Sequence, residues 1–163
     1  MHRGFERDFF YRLLDILSNE WRINMKPALL LRIASIITLL FAAGHTLGGR
    51  ESWSPAGEND VLRAMRLFHF DVEEVSRTYM DFYLGFGFIL GVYLLLQAIL
   101  LWQLATIAKS DPVRIRPLII SFFLASVASS FLSWKFIFAM PAVFFAVIAA
   151  CLGFAFYATR KGK

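Results

Sequence analysis

Cysteine is almost absent from this chain of 163 residues, which contains Cys151 alone. A single cysteine cannot form a disulfide within the chain, and there is no CxxC pair, so a thiol–disulfide oxidoreductase is excluded. Charged residues are also few, at 18%, and they stand at the ends of apolar segments. That placement argues against nucleic-acid binding, for which basic residues gather on one face.

Histidine is scarce too, with three residues in the chain. His45 lies at the end of an apolar segment, whereas His2 and His69 lie in polar segments. A bis-histidine haem inside a helical bundle needs two histidines within that bundle, so the sequence argues against one. A site built from His45, His69, Asp71 and Asp81 would lack the ligand spacing of a metal motif. We therefore predict no metal site, and the sequence does not identify a cofactor.

Apolar residues are abundant instead. They make up 58% of the chain, eighteen of them are phenylalanine, and the mean hydropathy is +0.60. Soluble domains are usually ~45–50% apolar. A soluble domain of this length would leave large apolar patches exposed. The composition therefore predicts an integral membrane protein whose main partner is the lipid bilayer.

Four apolar stretches are long enough to cross a membrane, since ~20 helical residues span ~30 Å of hydrocarbon. The second is longer than one bilayer needs, and we expect it to tilt or to project beyond the membrane. The last two are joined by about one residue, which forces them to be antiparallel. The predicted fold is an all-α integral membrane protein, an antiparallel four-helix transmembrane bundle. The predicted membrane domain is 27–163, with spans at about 28–47, 78–108, 117–134 and 136–157.

Two polar segments flank or interrupt these spans. In residues 1–26, Phe5, Phe9 and Leu13 recur at helical spacing, which predicts an amphipathic segment on the membrane surface. A flexible extension is the alternative for this segment. Residues 48–77 form the longest polar segment, in which Asn59 or Asp60 is placed to cap a short helix. We predict that this partly helical loop lies over the mouth of the bundle.

The orientation follows from the arginines and lysines. They concentrate at the N-terminus, in 109–116 and in the C-terminal tail, whereas the 48–77 loop carries four arginines against six acidic residues. Short loops rich in Lys and Arg stay in the cytoplasm. Both termini are therefore predicted to be cytoplasmic, in a multi-pass protein of the plasma membrane, with the 48–77 loop on the outer side.

This topology predicts polar side chains of three spans at one depth, beneath the outer loop. Asp81 is a candidate partner for His45, and Arg77 stands four residues before Asp81, at the spacing of a helical ion pair. Polar groups within spans are costly and are usually paired. The candidate residues are His45, Trp53, Arg77, Tyr79, Asp81, Tyr83, Ser126 and Ser130.

Each candidate also has a purely structural explanation. His45 would link two helix ends by a hydrogen bond, and Asp81 would serve a helix start, where negative charge is favourable. Serines in spans commonly bond to their own helix. Tyrosine and tryptophan are common at both membrane–water interfaces. Only the shared depth of these residues favours a site.

Two motifs resemble those of a known family. The first span ends in GHTLGG at 44–49, and the second opens with RTYMDFYLGFG at 77–87. The chain resembles a group of small bacterial four-span membrane proteins of uncharacterised function, loosely similar to DoxX-like proteins. In that group a His-Thr-x-Gly motif ends the first span, and a Tyr-x-Asp-Phe-Tyr-x-Gly-Phe-Gly motif opens the second. The resemblance covers about residues 25–160 and implies a four-helix bundle in the bacterial inner membrane, without implying a reaction.

Two functions stay open at this point. The first is a non-catalytic membrane protein that binds a lipid or hydrophobic ligand, or supports a membrane protein partner. The second is a small membrane enzyme in which His45 and Asp81 act as an acid–base pair on a lipid-like substrate near the outer face. A cavity that reaches both side chains would favour the enzyme, and a histidine bonded only to backbone would argue against it.

Overall fold

A computed structural model describes residues 26–49, 54 and 56–160, and within these it contains five helices and one β-hairpin. Four of the helices are long and apolar enough to cross a membrane. They begin and end within three residues of the predicted spans. The elements in chain order are α1 (Pro27–Gly48), α2 (Asp60–Leu67), β1 (His69–Val72), β2 (Val75–Thr78), α3 (Tyr79–Ile107), α4 (Arg116–Phe136) and α5 (Ala139–Ala158).

The four long helices pack in the order α3–α1–α5–α4. Ser35 and His45 of α1 bond to the carbonyls of Ala98 and Gly87 of α3, so α1 and α3 run antiparallel. Ser130 of α4 bonds to the Ala142 carbonyl of α5 and Phe123 packs near Gly153, so this pair is antiparallel too. In the most apolar stretch of α1, 44% of the residues are buried, against 17% in α4. Helix α1 is therefore central, and α4 lies at one edge. Across the described ranges, α3 and α4 share no substantial interface.

The core is tightest in one half of the helices. We call the end formed by Pro27, Ile107, Arg116 and Ala158 the basic end, and the opposite end the loop end. Every apolar side chain that is fully buried lies at the middle of its helix or in the basic half. These side chains are Leu31, Ala34, Leu101, Ala105, Ile119, Ile148, Leu152 and Ala155, together with Ile115 immediately before α4 at the basic end. Packing is looser at the loop end, where the polar candidates lie.

Small side chains allow α1 and α3 to approach closely. At three- and four-residue spacing, Ala34, Thr38, Ala42 and His45 are predicted to share one face of α1 that meets protein, and the first three are buried. Gly91 of α3 meets Thr46 of α1 so closely that a Cβ on the glycine would stand 2.7 Å from Thr46 Oγ1. Gly87 and Gly91 match a GxxxG motif, and Gly91 thus serves packing within the chain.

The loop after α1 contains more structure than the sequence predicts. The short helix α2 forms as expected, and the side chain of Asn59 accepts hydrogen bonds from the backbone N–H groups of Val61 and Leu62. The antiparallel β-hairpin that follows was not predicted. Its strands have only four residues each, and its turn is Glu73-Glu74 rather than a glycine-containing pair. The predicted N-terminal amphipathic segment lies outside the described residues, apart from Lys26.

Helix α3 carries the hairpin. Its 29 residues reach about 44 Å at ~1.5 Å per residue, which exceeds the ~30 Å hydrocarbon layer as predicted. Helix α3 contacts α2 and β2, and Tyr79 in its first turn meets the ring of Phe70 in β1. The hairpin and α2 are therefore held at the loop end by the helix that follows them directly.

Candidate functional site

His45 lies in the last turn of α1 and connects it to α3. Its Nε2 atom is 3.0 Å from the carbonyl oxygen of Gly87. A carbonyl only accepts hydrogen bonds, so Nε2 is the donor and carries the proton. The ring of Phe41, one turn earlier, meets the imidazole edge to face at 6.3 Å between centroids. The prediction that His45 faces protein is confirmed, and its partner is a backbone carbonyl.

Asp81 is engaged at the start of α3. One of its carboxylate oxygens accepts hydrogen bonds from the backbone N–H of Thr78 at 2.8 Å and from the Thr78 hydroxyl at 2.9 Å. The hydroxyl in turn accepts from the backbone N–H of Asp81 at 3.1 Å. This reciprocal arrangement is a capping box, which satisfies N–H groups that the first helical turn leaves unpaired. Asp81 therefore stabilises the start of α3.

The structure does not bring His45 and Asp81 together. Neither side chain hydrogen-bonds the other, and no ion pair joins them among the described residues. Asp81 precedes Gly87 by six residues, so at ~100° per residue the two positions point roughly 120° apart around α3. His45 meets the Gly87 side, and Asp81 lies on another. The sequence predicts that His45 and Asp81 lie at the same depth, but it does not predict which side of α3 each of them meets.

The predicted Arg77–Asp81 pair is also not formed as a direct ion pair. Arg77 belongs to β2, two residues before α3 begins, so the four-residue spacing does not have helical geometry here. Its guanidinium donates instead to the carbonyl of Ser76 at 3.0 Å. Arg77 and Asp81 nevertheless line one groove, described below.

Ser126 and Ser130 make their hydrogen bonds within the α4–α5 pair. Ser126 Oγ donates to the Phe122 carbonyl of its own helix at 2.8 Å, and Ser130 Oγ donates to the Ala142 carbonyl of α5 at 2.9 Å. Because α4 packs on α5 and not on α1 or α3, these hydroxyls are separated from His45 by the width of the bundle. The expected gathering of three spans at one site is therefore wrong for the serines. The sequence predicts how deep a residue lies within its span, whereas the order in which the helices neighbour one another depends on tertiary packing.

An aromatic row, missed from sequence, runs from the hairpin down α3. Tyr79 lies 4.8 Å from Phe70 and 5.9 Å from Phe68 between ring centroids. Phe70 then meets Phe82 at 5.8 Å, and Phe82 meets Phe86 at 6.4 Å. The four-residue spacing of the last two phenylalanines was visible in the sequence. The other contacts required the hairpin.

Two cavities lie at the loop end, on different sides of α3. One of about 40 Å³ is lined by the His45 ring, Tyr83 and Gly87 among others, and it has room for water rather than for a lipid. The other, of about 260 Å³, is a shallow depression that is open over most of its extent. We call it the α3 groove. Its lining residues are Arg77, Asp81, Phe82, Gly85, Phe86 and Ile89.

The remaining candidates do not add a reactive group. Tyr79 lies in the aromatic row, Tyr83 lines the small cavity, and Trp53 falls outside the part of the chain that the structure describes. In that part, no three His, Cys, Asp or Glu side chains are grouped so that they could hold a metal ion. Comparison with protein-family models, curated proteins and solved structures finds no match to this chain. The resemblance to the four-span family therefore stays a prediction.

Proposed function

We propose that this protein is a non-catalytic multi-pass protein of the bacterial inner membrane that binds an amphipathic lipid or a similar hydrophobic ligand. The α3 groove carries the proposal. Arg77 and Asp81 lie at its polar end, where α3 begins, and Phe82, Phe86 and Ile89 form its apolar length. This order of charge and then hydrocarbon matches a lipid, whose headgroup lies at the interface and whose chain runs toward the bilayer centre.

The size of the α3 groove suits part of a lipid. Its volume of about 260 Å³ lies just below the range of roughly 300–1,000 Å³ that encloses whole drug-sized ligands. The groove is open toward the side of α3, so a chain can lie against Phe86 without being enclosed. Phe86 is 69% exposed, which leaves most of its ring available for that contact.

The geometry gives no support to the acid–base enzyme. His45 donates to a helix carbonyl, and Asp81 accepts from Thr78. The small cavity beside His45 does not include Asp81 in its lining. A proton relay between the two groups would need contact directly or through one water. We therefore favour ligand binding over catalysis.

The ligand test compares matched variants by native mass spectrometry of the purified protein. Wild type is expected to retain a lipid-like molecule that Arg77→Gln and Phe86→Ala lose. The controls are Arg63→Gln on α2 and Phe131→Ala on α4, both exposed and outside the groove lining. Equal retention by all four variants would contradict the proposal. A stoichiometric protein in place of a small molecule would instead support a partner-binding role.

We further propose that both termini face the cytoplasm. At the basic end the described residues include six arginines and lysines and one acidic residue, Asp111. Glu74→Cys in the hairpin and Ser110→Cys in the opposite turn test this in a Cys151→Ser background. A membrane-impermeant thiol reagent should label Glu74→Cys in intact cells and spare Ser110→Cys. The reverse labelling pattern would overturn the orientation.

A further inference from the structure

Two arginines share one aromatic ring at the basic end. Phe156 lies in the last turn of α5, half-buried against the core. The guanidinium carbon of Arg116 is 5.0 Å from its ring centroid, and that of Arg160 is 5.1 Å away. Arg116 is the first residue of α4, and Arg160 follows the end of α5. The antiparallel α4–α5 pair thus brings the two cations to one place.

No carboxylate lies within ion-pair distance of either arginine in the described part of the chain. Since both guanidinium carbons lie close to one centroid, they are at most about 10 Å apart, roughly one Debye length at ordinary salt. The ion pair that the structure records, Arg66–Glu58, is at the loop end. Asp111 accepts a hydrogen bond from the backbone N–H of Arg114 through Oδ1. The two cations therefore form an anion site without an internal counterion.

We propose that Arg116 and Arg160 bind the phosphate of an anionic phospholipid headgroup. A guanidinium presents a planar fork of N–H donors that matches phosphate oxygens in a bidentate way. The cation–π contacts with Phe156 hold both guanidinium groups near one ring, so less side-chain freedom is lost on binding. Basic pockets between helices at a membrane surface are suited to such headgroups.

The surroundings favour a lipid over a free phosphate ion. The arginines stand at the ends of two helices that are apolar enough to cross a membrane. Ile120, one turn into α4 and on the side of Arg116, has an exposed side chain. An acyl chain below the phosphate would lie along this side of α4. This site is at the opposite end from the α3 groove and does not depend on it.

Binding of added lipid to the full chain in detergent tests the site, by native mass spectrometry. Wild type should bind phosphatidylglycerol more tightly than phosphatidylcholine. Arg116→Gln with Arg160→Gln should weaken phosphatidylglycerol binding roughly tenfold or more, since hydrogen bonds to charged groups are lost. Lysine at both positions keeps the positive charge but lacks the planar pair of N–H donors, and an intermediate loss of phosphatidylglycerol affinity is expected. Inorganic phosphate at the same concentration should not displace the lipid.

Arg114→Gln is the matched control, because Arg114 is an exposed arginine in the same turn that stacks on no ring. It should retain phosphatidylglycerol affinity within about twofold, a difference well below 1 kcal/mol. If the double variant does not fold, Arg160→Gln alone tests the site, because Arg160 is exposed and follows the end of α5. An equal loss in Arg114→Gln, an unchanged affinity in the Arg160→Gln and double variants, or displacement by inorganic phosphate would overturn the proposal.

Discussion

Thr46 of α1 packs directly on Gly91 of α3. A Cβ at Gly91 would stand 2.7 Å from Thr46 Oγ1, whereas a Cβ at Gly85 or Gly87 would meet nothing within 4 Å. One turn away, His45 donates to the Gly87 carbonyl. These two contacts fix the α1–α3 interface at the loop end, where the rest of the packing is loose.

Gly91→Ala should therefore destabilise the protein, whereas Gly85→Ala should not. Alanine usually favours a helix by roughly 0.5–1 kcal/mol over glycine, but at position 91 the clash should outweigh this gain, at about 1–3 kcal/mol. Thermal unfolding in detergent measures the difference. Thr46→Ala combined with Gly91→Ala should restore stability, and a failure of that rescue would show that the clash is not with Thr46.

His45→Ala should lower the free energy of unfolding by about 1 kcal/mol, since one part-buried hydrogen bond is lost. Because His45 and Asp81 do not touch, its effect should add to that of Asp81→Ala. A double-mutant cycle measures this, and the coupling energy should be below about 0.5 kcal/mol. A coupling well above 1 kcal/mol would revive the acid–base pair.

Thr78→Ala should destabilise α3 by about 1 kcal/mol, because it removes the capping hydroxyl at the start of the helix. Thr78→Ser keeps the hydroxyl and should be close to wild type. Thr106→Ala, at an exposed position near the other end of α3, is the control. Hydrogen exchange of the first-turn amides reports the effect locally, and protection unchanged in Thr78→Ala would contradict it.

Substitutions at the turn should stabilise the β-hairpin. Glu73 and Glu74 have φ values of 48° and 67°, a left-handed conformation that L side chains adopt at a cost of about 1–2 kcal/mol each. Asparagine at 73 with glycine at 74 suits this turn. The double variant should slow hydrogen exchange across His69–Val72. Faster exchange in the variant would instead indicate that the two glutamates make contacts that hold the hairpin.

The helices could be predicted from sequence because hydropathy and capping are local properties. Asn59 or Asp60 was expected to cap a short helix, and Asn59 does so by accepting from two backbone N–H groups. The small face of α1 and the protein-facing side of His45 also followed from spacing alone. The capping role of Asp81 was foreseen as its structural explanation, although its partner Thr78 was not.

The site could not be predicted to the same degree, because it depends on which helices become neighbours. Ser130 and His45 share a depth but belong to different helix pairs. Arg77 has helical spacing to Asp81 but lies in a strand. The hairpin itself escaped prediction because Glu73-Glu74 is not a typical turn pair. The hairpin and the Arg77 position are local features, whereas the separation of Ser130 from His45 depends on contacts between residues distant in sequence.

The packing order has a consequence for how the halves of the chain are connected. Helices α1 and α3 form one antiparallel pair and α4 and α5 another, and the two pairs meet chiefly where α1 contacts α5, with Phe41 stacked on Phe144 at 4.9 Å. The 108–115 turn is therefore the covalent connection between two antiparallel helix pairs whose main shared interface is the one between α1 and α5.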